Sequence, residues 1–242
     1  MLKTGEKIED LDLKGLKIIQ NKDWFCFGID AVLLADFAEA KHKSKVVDFG
    51  TGTGIIPLLM EGRYSPCEII GLEIQEEVAE MAQRSIKLNN LEDKIKILNE
   101  DIKNYKKIGP GTFDIVVSNP PYKKDSTGLK NPTDIKAISR HEILITLDDI
   151  IFSASKLLKS GGKLCMIHRP ERLSHILLGF EKYGFAPRRL RFVHPKLGKS
   201  PTMILVEGVR SGGDFLKVDP PLYVYNKDGS YTEEINRIYG RW

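Results

Sequence analysis

The feature that most restricts this chain is a repeated exchange, beginning near residue 45, between short β-branched runs and helical segments. "KVVDFG", "CEIIGLEI", "IKILNED" and "FDIVVS" are short and rich in Val and Ile, the length and chemistry of buried strands. "IIPLLM" and the polar "QEEVAEMAQRSIKLNN" stand between them as helices. Strand and helix in turn require crossover connections, which set the strands parallel and cover both faces of the sheet. The pattern predicts an α/β fold. A polar stretch, "KKDSTGLKNPTDIKAISR" at 123–140, interrupts it and reads as a loop over the sheet edge. The rhythm then resumes: "LDDIIFSASKLLKSGG" as a helix closed by glycine, "KLCMIHRP" as a strand, "ERLSHILLGFEKYG" as a helix, and "RRLRFVHP" with "TMILVEGVR" as a final strand pair. Upstream, "FGIDAVLLADFA" puts Ile29, Leu33 and Phe37 on helical spacing with Asp30 near the start. The expected organisation is an N-terminal extension over 1–44, a main domain over 45–210, and a tail over 211–242 that has little periodicity and either wraps the domain or is partly disordered.

Composition serves mainly to exclude. No apolar run approaches the roughly 20 residues needed to cross a bilayer. The opening "MLKTGEKIEDLDLKGLKII" mixes acids and bases where a signal peptide carries an apolar core, so a cytoplasmic protein is expected. Cys26, Cys67 and Cys165 are far apart in apolar settings with no C-x-x-C pair, and are expected as buried free thiols. The net charge of +4 does not by itself mark a nucleic-acid binder. Its distribution is uneven, however: Lys182 to Val206 contains no acid but holds Lys182, Arg188, Arg189, Arg191, Lys196, Lys199 and His194. That run is either a phosphate-binding edge or a solvated basic one.

"VVDFGTGTG" places Gly50, Gly52 and Gly54 between a strand and a helix, where backbone can approach a ligand and helix N–H groups suit an anion. A dinucleotide fingerprint needs glycine where Ile55 stands, so a diphosphate is a poor fit. Asp48, Glu73 and Asp101 fall at the ends of successive strands, the rim where parallel sheets bind ligands. Glu73 suits two ribose hydroxyls and Asp101 an adenine amine. Three carboxylates repel a diphosphate but accept a ligand that bears an adenosine, a sulfonium and an ammonium group, with a single carboxylate at the helix terminus. S-adenosylmethionine has that charge pattern.

The fourth strand ends in "SNPPY", with Asn119, Pro120, Pro121 and Tyr122. Together with "VVDFGTGTG", "GLEI" and "NED", in that order, it resembles the class I S-adenosylmethionine-dependent methyltransferases, and within them the branch that methylates amino groups on planar systems. "FGIDAVLLADF", "HRPER", "RRLRFVHP" and "YTEEINRIYG" extend the resemblance to bacterial tRNA methyltransferases acting on N6 of an adenine beside the anticodon of a valine tRNA. The resemblance implies a Rossmann-like fold: a mostly parallel seven-stranded sheet with helices on both faces and an antiparallel edge strand. It implies cofactor contacts at Asp30, Asp48, Gly50, Thr51, Gly52, Gly54, Glu73, Ile74, Asp101, Ile102 and Asn119.

The chemistry of the motif follows from its residues. An adenine amine is a weak nucleophile because its lone pair is delocalised into the ring. The Asn119 side-chain oxygen and the Pro120 carbonyl can each accept one amine hydrogen and turn the lone pair toward a methyl donor. Pro121 stiffens the turn, and Tyr122 offers a ring to the base. No general base is needed before attack, which agrees with the absence of His or Lys from the motif. A tRNA partner is expected along Lys123, Lys124, Arg169, Arg172, Arg188, Arg189, Arg191, Lys196 and Lys199. His141, His168 and His194 lack metal-ligand spacing, so no metal is expected, and the chain is expected as a monomer or weak dimer. Three other readings stand beside this one. A protein glutamine-amide methyltransferase also uses N-P-P-Y but usually has a helical domain ahead of the fold, and about 45 residues precede "VVDFG" here. A DNA adenine methyltransferase would add a target-recognition domain. A non-catalytic RNA-binding protein would keep the fold and lose the chemistry.

Overall fold

The computed structural model describes residues 2–22, 24, 27–121, 145–213 and 215–240. Strands β3 (Lys45–Phe49), β4 (Glu68–Glu73), β5 (Ile95–Asn99) and β6 (Phe113–Ser118) are all parallel, in the order β5-β4-β3-β6. Beyond β6 come β7 (Leu158–His168), β9 (Met203–Arg210) and β8 (Phe185–Lys196). β9 is antiparallel to both its neighbours, so the departure from parallel pairing is confined to that side of the sheet. These are the seven strands expected. Two short tail strands, β10 (Lys217–Val218) and β11 (Leu222–Tyr225), follow one another along the outer side of β8.

Successive residues of each strand serve opposite faces, as the pleat requires. Val46, Ile69, Ile95 and Ile115 pack with helices α1 (Ile29–Phe37), α2 (Ile55–Tyr64) and α3 (Glu76–Leu88). Val47, Ile70 and Val116 pack with α4 (Leu147–Leu157) and α5 (Leu173–Tyr183). Burial on both faces explains why the strand segments read as nearly continuous apolar runs.

The tail is part of this architecture. Leu222, Val224, Ile235 and Ile238, the last two from helix α6 (Glu233–Ile238), join the same core as α1 and α2. The N-terminal segment also carries structure that its sequence did not signal: an antiparallel hairpin of β1 (Glu6–Asp10) and β2 (Lys17–Asn21). The hairpin lies against α3, where Ile19 N–H donates to Ser85 Oγ (3.0 Å) and Arg84 pairs with Glu6 and Glu80.

Two expectations change. α4 is not closed by glycine; it stops at Leu157 and β7 starts at the next residue. Gly161 and Gly162 instead form an irregularity near the start of β7, where the pairing with β6 jumps from Phe113–Leu158 to Ile115–Lys163. Cys67 is exposed just ahead of β4, whereas Cys165 is buried, and burial pushes its thiol up to about 12. Cys26 lies outside the described residues. Among the described residues no helix is long and apolar enough to cross a membrane.

Candidate active site

Because β3, β4, β5 and β6 are parallel, their C-terminal ends share one rim, and the register fixes which residues meet there. Phe49 is level with Leu72 on one side and Ser118 on the other, and Glu73 is level with Asn99. The turn after β3 and the segment after β6 therefore flank the point where strand order reverses, the usual ligand crevice of such sheets. Gly50 and Gly52 both have positive φ (69° and 56°), a conformation that side chains resist, and this lets the turn double back above the sheet. Thr51 N–H donates to Leu72 O (2.9 Å), and Gly52 N–H donates to Glu73 Oε2 (3.1 Å). Helix α2 then follows Gly54 with no side-chain cap, so its first N–H groups suit an anionic ligand.

Glu73 is a buried carboxylate at the centre of this turn, accepting also from Gln75 N–H (3.0 Å). Asn99, unnoticed in the sequence, holds the backbone behind it by donating to the carbonyls of Glu73 (2.9 Å) and Ile74 (3.0 Å). Gly71 was likewise unnoticed: a Cβ there would stand 2.8 Å from Thr51 Oγ1, so only glycine lets the turn settle onto β4. Asp101 is half-buried and caps the following 3-10 helix (Ile102–Lys107), its Oδ1 accepting from Lys103 N–H (2.9 Å). Ile74 is half-buried and Ile102 buried, as apolar walls for a planar base would be.

Asp48 does not reach the open rim. It is fully buried in β3, on the sheet face toward which the Thr51 side chain is turned. Burial pushes its carboxyl up to about 7, the Thr51 hydroxyl opposes this, and the charge of Glu73 adds to it. A folded-state value above the unfolded one means that this group favours folding most below roughly pH 4 and loses that contribution as pH rises through about 7. The melting temperature of Asp48→Asn minus that of wild type, both without ligand, is therefore expected to increase between pH 4 and pH 7.5, as followed by circular dichroism. A pH-independent difference would contradict late titration of this carboxyl.

Asn119 follows β6 directly. Its Nδ2 donates to Asp30 Oδ2 (3.0 Å), while Asp30 Oδ1 accepts from Ala31 N–H (3.0 Å) at the start of α1. Gly28 makes this possible, since a Cβ there would lie 2.8 Å from Asp30 Oδ1. The acid anchors the amine end of the Asn119 amide and so fixes which end of the group is donor and which is acceptor. Asp30 thus has a partner that the sequence reading, which gave it only to the cofactor, did not anticipate. Pro120 is half-buried and Pro121 exposed; Tyr122, Lys123 and Lys124 lie outside the described residues. A cavity of about 90 Å³ occurs elsewhere, between the β1–β2 turn and helices α1 and α2, and none of these residues lines it.

The site fits S-adenosylmethionine. The uncapped helix start suits its carboxylate, Glu73 and Asp101 supply acceptors, and the buried oxygens of Asp48 and Thr51 give the region below the turn a polar character. The family model described as methyltransferase small domain matches residues 27–181. The chain belongs to that methyltransferase family. A tRNA1(Val) (adenine(37)-N6)-methyltransferase of Porphyromonas gingivalis is 34% identical over 221 residues, covering 87% of this chain and 86% of the relative. Among solved structures, a predicted O-methyltransferase from Agrobacterium tumefaciens has a TM-score of 0.70 at 24% identity, covering 88% of this chain and 96% of its own. The geranyl diphosphate C-methyltransferase of Streptomyces coelicolor, with S-adenosyl-L-homocysteine bound, has a TM-score of 0.57 at 15% identity, covering 75% and 78%. These two share the fold. The chain is an S-adenosylmethionine-dependent methyltransferase.

The basic residues of this methyltransferase separate into two groups. Arg189 is committed within the chain: it pairs with Asp219 and with Glu39 (2.9 Å), and its guanidinium lies 4.4 Å from the centre of the Phe37 ring. Arg191 donates to Pro220 O (2.9 Å) and to Glu234 Oε2 (2.9 Å). Both tie the tail to the sheet, so the expectation that they present themselves to phosphate gives way to a clamping role. Arg188 is half-buried near them, at the start of β8. Arg169, Arg172, Lys196 and Lys199 are exposed, and they follow the C-terminal ends of β7 and β8 on the rim that carries Asn119. His168 is buried, and burial with the charges of Arg172 and Arg169 brings it down to about 4; its Nδ1 accepts from Arg169 N–H (2.8 Å). His194 Nδ1 faces Lys199 O at 2.7 Å. His141 lies outside the described residues, and among those described no group of His, Cys, Asp and Glu is arranged to hold a metal.

Proposed function

We infer that this methyltransferase transfers a methyl group from S-adenosylmethionine to N6 of adenine 37 in a valine tRNA. The observation that carries the reading is the Asp30–Asn119 pair beside the glycine turn, because it holds the nitrogen of the amide and so orients its oxygen as an acceptor, the group an exocyclic amine needs. The relative at 34% identity, named for this reaction, supports the choice of tRNA. The cofactor, when bound, supplies an electrophilic methyl group on sulfonium.

The chain supplies orientation. Asn119 Oδ1 and the Pro120 carbonyl each accept one hydrogen of the adenine amine, and this directs the nitrogen lone pair out of the ring plane. Pro121 fixes the carbonyl, and Tyr122 stacks on the extruded base, offsetting part of the cost of unstacking it. Glu73 takes the ribose hydroxyls, Asp101 the adenine amine of the cofactor, and Asp48 remains the buried acid beneath. Arg169, Arg172, Lys196 and Lys199 hold phosphates and set affinity without reading sequence. The extension over 1–44 completes the site through Asp30, the catalytic domain spans 45–210, and the tail over 211–242 braces it. The protein is read as a cytoplasmic monomer or weak dimer.

The test is incubation of methyl-labelled cofactor with bulk tRNA, ribosomal RNA, duplex DNA and release factor, followed by nucleoside mass spectrometry. N6-methyladenosine in tRNA is the expected product. Label in protein but not in RNA would overturn the reading in favour of glutamine methylation.

A further inference from the structure

We propose that the tail builds an RNA-docking platform on the catalytic rim, in which the ring of Tyr225 stacks on a nucleobase elsewhere in the stem-loop that carries the target adenine while Lys196 and Lys199 hold adjoining phosphates. The proposal rests on the tRNA reading above and assigns it a surface.

The register sets the position. β8 runs in the same direction as β6 and β7, so its C-terminal end emerges on the rim that carries Asn119 and Arg169. Phe192 of β8 is level, through Ile204, with His168, the last residue of β7. Val193 to Lys196 therefore extend past the end of β7, and the turn to β9 stands above the rim. Lys196, Leu197 and Lys199 are exposed there, Leu197 by 69%. The turn is braced: Lys199 N–H donates to Lys196 O (3.1 Å), Lys199 O meets the His194 ring, and that ring packs 5.4 Å from Tyr223.

β11 lies beside this projecting end, with Tyr223 opposite His194 and Tyr225 opposite Lys196. Behind Tyr225 stands a column of nearly parallel rings. Tyr225 and Tyr231 are 5.3 Å apart at 13°, and Tyr231 and Tyr239 are 5.6 Å apart at 16°. Tyr231 and Tyr239 are half-buried, whereas Tyr225 is 41% exposed at the outer end. Packing of the tail does not require an aromatic ring there, because Leu222, Val224, Ile235 and Ile238 provide the buried contacts. Asn226 fixes the turn by donating to Ser230 Oγ (3.1 Å) and Tyr231 O (3.0 Å), so the ring is held before any ligand arrives and loses little freedom on stacking. A nucleobase completes such a column with offset stacking geometry.

Charge selects RNA over protein as the occupant. Lys196, Lys199 and Lys227 are exposed around the ring, and the neighbouring Asp228 is turned onto Ser230, accepting from its N–H (2.9 Å) and hydroxyl (2.6 Å). Continuity with the active site argues the same way, since Arg169 and Arg172 lie between this patch and Asn119 along the rim. Four strand spacings separate β6 from β11, roughly 19 Å at ~4.8 Å each. That span excludes the target base itself and suits another nucleotide of the folded loop or the adjoining stem.

The experiment compares wild type, Tyr225→Ala, Tyr225→Trp and the Lys196→Glu, Lys199→Glu double variant in steady-state methylation of tRNA across a salt series. Tyr225→Ala is expected to raise KM for tRNA roughly 5- to 150-fold with kcat and cofactor affinity kept, and Tyr225→Trp to restore KM. The double lysine variant is expected to flatten the dependence of log KM on log salt by roughly 1 to 2. Wild-type KM in Tyr225→Ala, or an unchanged salt slope in the lysine variant, would overturn the platform. If Tyr225→Ala melts early, the tryptophan and lysine variants decide in its place, and a raised KM in Tyr225→Trp counts against stacking. Absence of tRNA methylation by wild type would fail the functional reading instead; filter binding of tRNA to the same four proteins then judges the platform separately.

Discussion

Asn119→Ala is expected to lower turnover by roughly 10²- to 10³-fold, the loss typical of removing one preorganised polar contact from a transition state. The amide accepts a hydrogen that becomes more acidic as the methyl arrives, so its contribution grows along the reaction and falls on kcat more than on KM. Cofactor affinity should change far less, because the lost hydrogen bond is one made to the reacting amine. Asp30→Ala should reproduce part of the defect: without its acceptor the amide of Asn119 can rotate and present a donor where an acceptor is required. Single-turnover rates at saturating cofactor, with calorimetry for cofactor affinity, check both. Turnover near that of wild type in Asn119→Ala would sink the amine-orienting role.

Loss of the carboxylate at Glu73 has the second largest expected effect, and it falls on binding. Each hydrogen bond to a charged acceptor contributes about 1.5–3 kcal/mol, so losing two ribose contacts should weaken S-adenosylmethionine by roughly 10²-fold or more. Glu73→Ala also strips the acceptor from Gly52 N–H and Gln75 N–H, which loosens the turn and lowers the melting temperature. Glu73→Gln keeps one oxygen acceptor and separates the two effects, with a smaller loss of affinity and a melting temperature nearer wild type. Calorimetric titration with S-adenosylmethionine and with S-adenosylhomocysteine should show similar losses, since both carry the same ribose. Unchanged affinity in both variants would remove Glu73 from the ribose site.

Much of the fold was legible because a strand buried on both faces must be apolar along its length. The helices between them announce themselves by spacing, and the structure adds a cap that went unread, Thr146, whose hydroxyl and Asp149 form a reciprocal pair at the start of α4. The β1–β2 hairpin was not legible. "EKIED" and "KIIQN" are short and carry charges, and the hairpin gains stability from α3, through Ser85 and Arg84, which lie far along the chain. Gly161 and Gly162 misled because glycine after a helix usually ends it, whereas here the chain had already entered β7. The acid-free stretch misled in the same manner. The partners of Arg189 and Arg191 are Glu39, Asp219 and Glu234, none of them nearby in sequence.

What the amino-acid order determined alone is local: the strand-helix rhythm, the glycine turn that only residues without Cβ can make, and a proline corner placed directly after a buried strand. Tertiary structure decided which of these features meet. It brought Asp30 to Asn119 across 89 positions, sealed Asp48 beneath the turn, and divided the arginines into clamps and rim residues. The physical reason is that backbone preferences act over a few residues, whereas the neighbours of a side chain at the rim are set by strand order and register, which the chain settles only by packing both faces of the sheet at once.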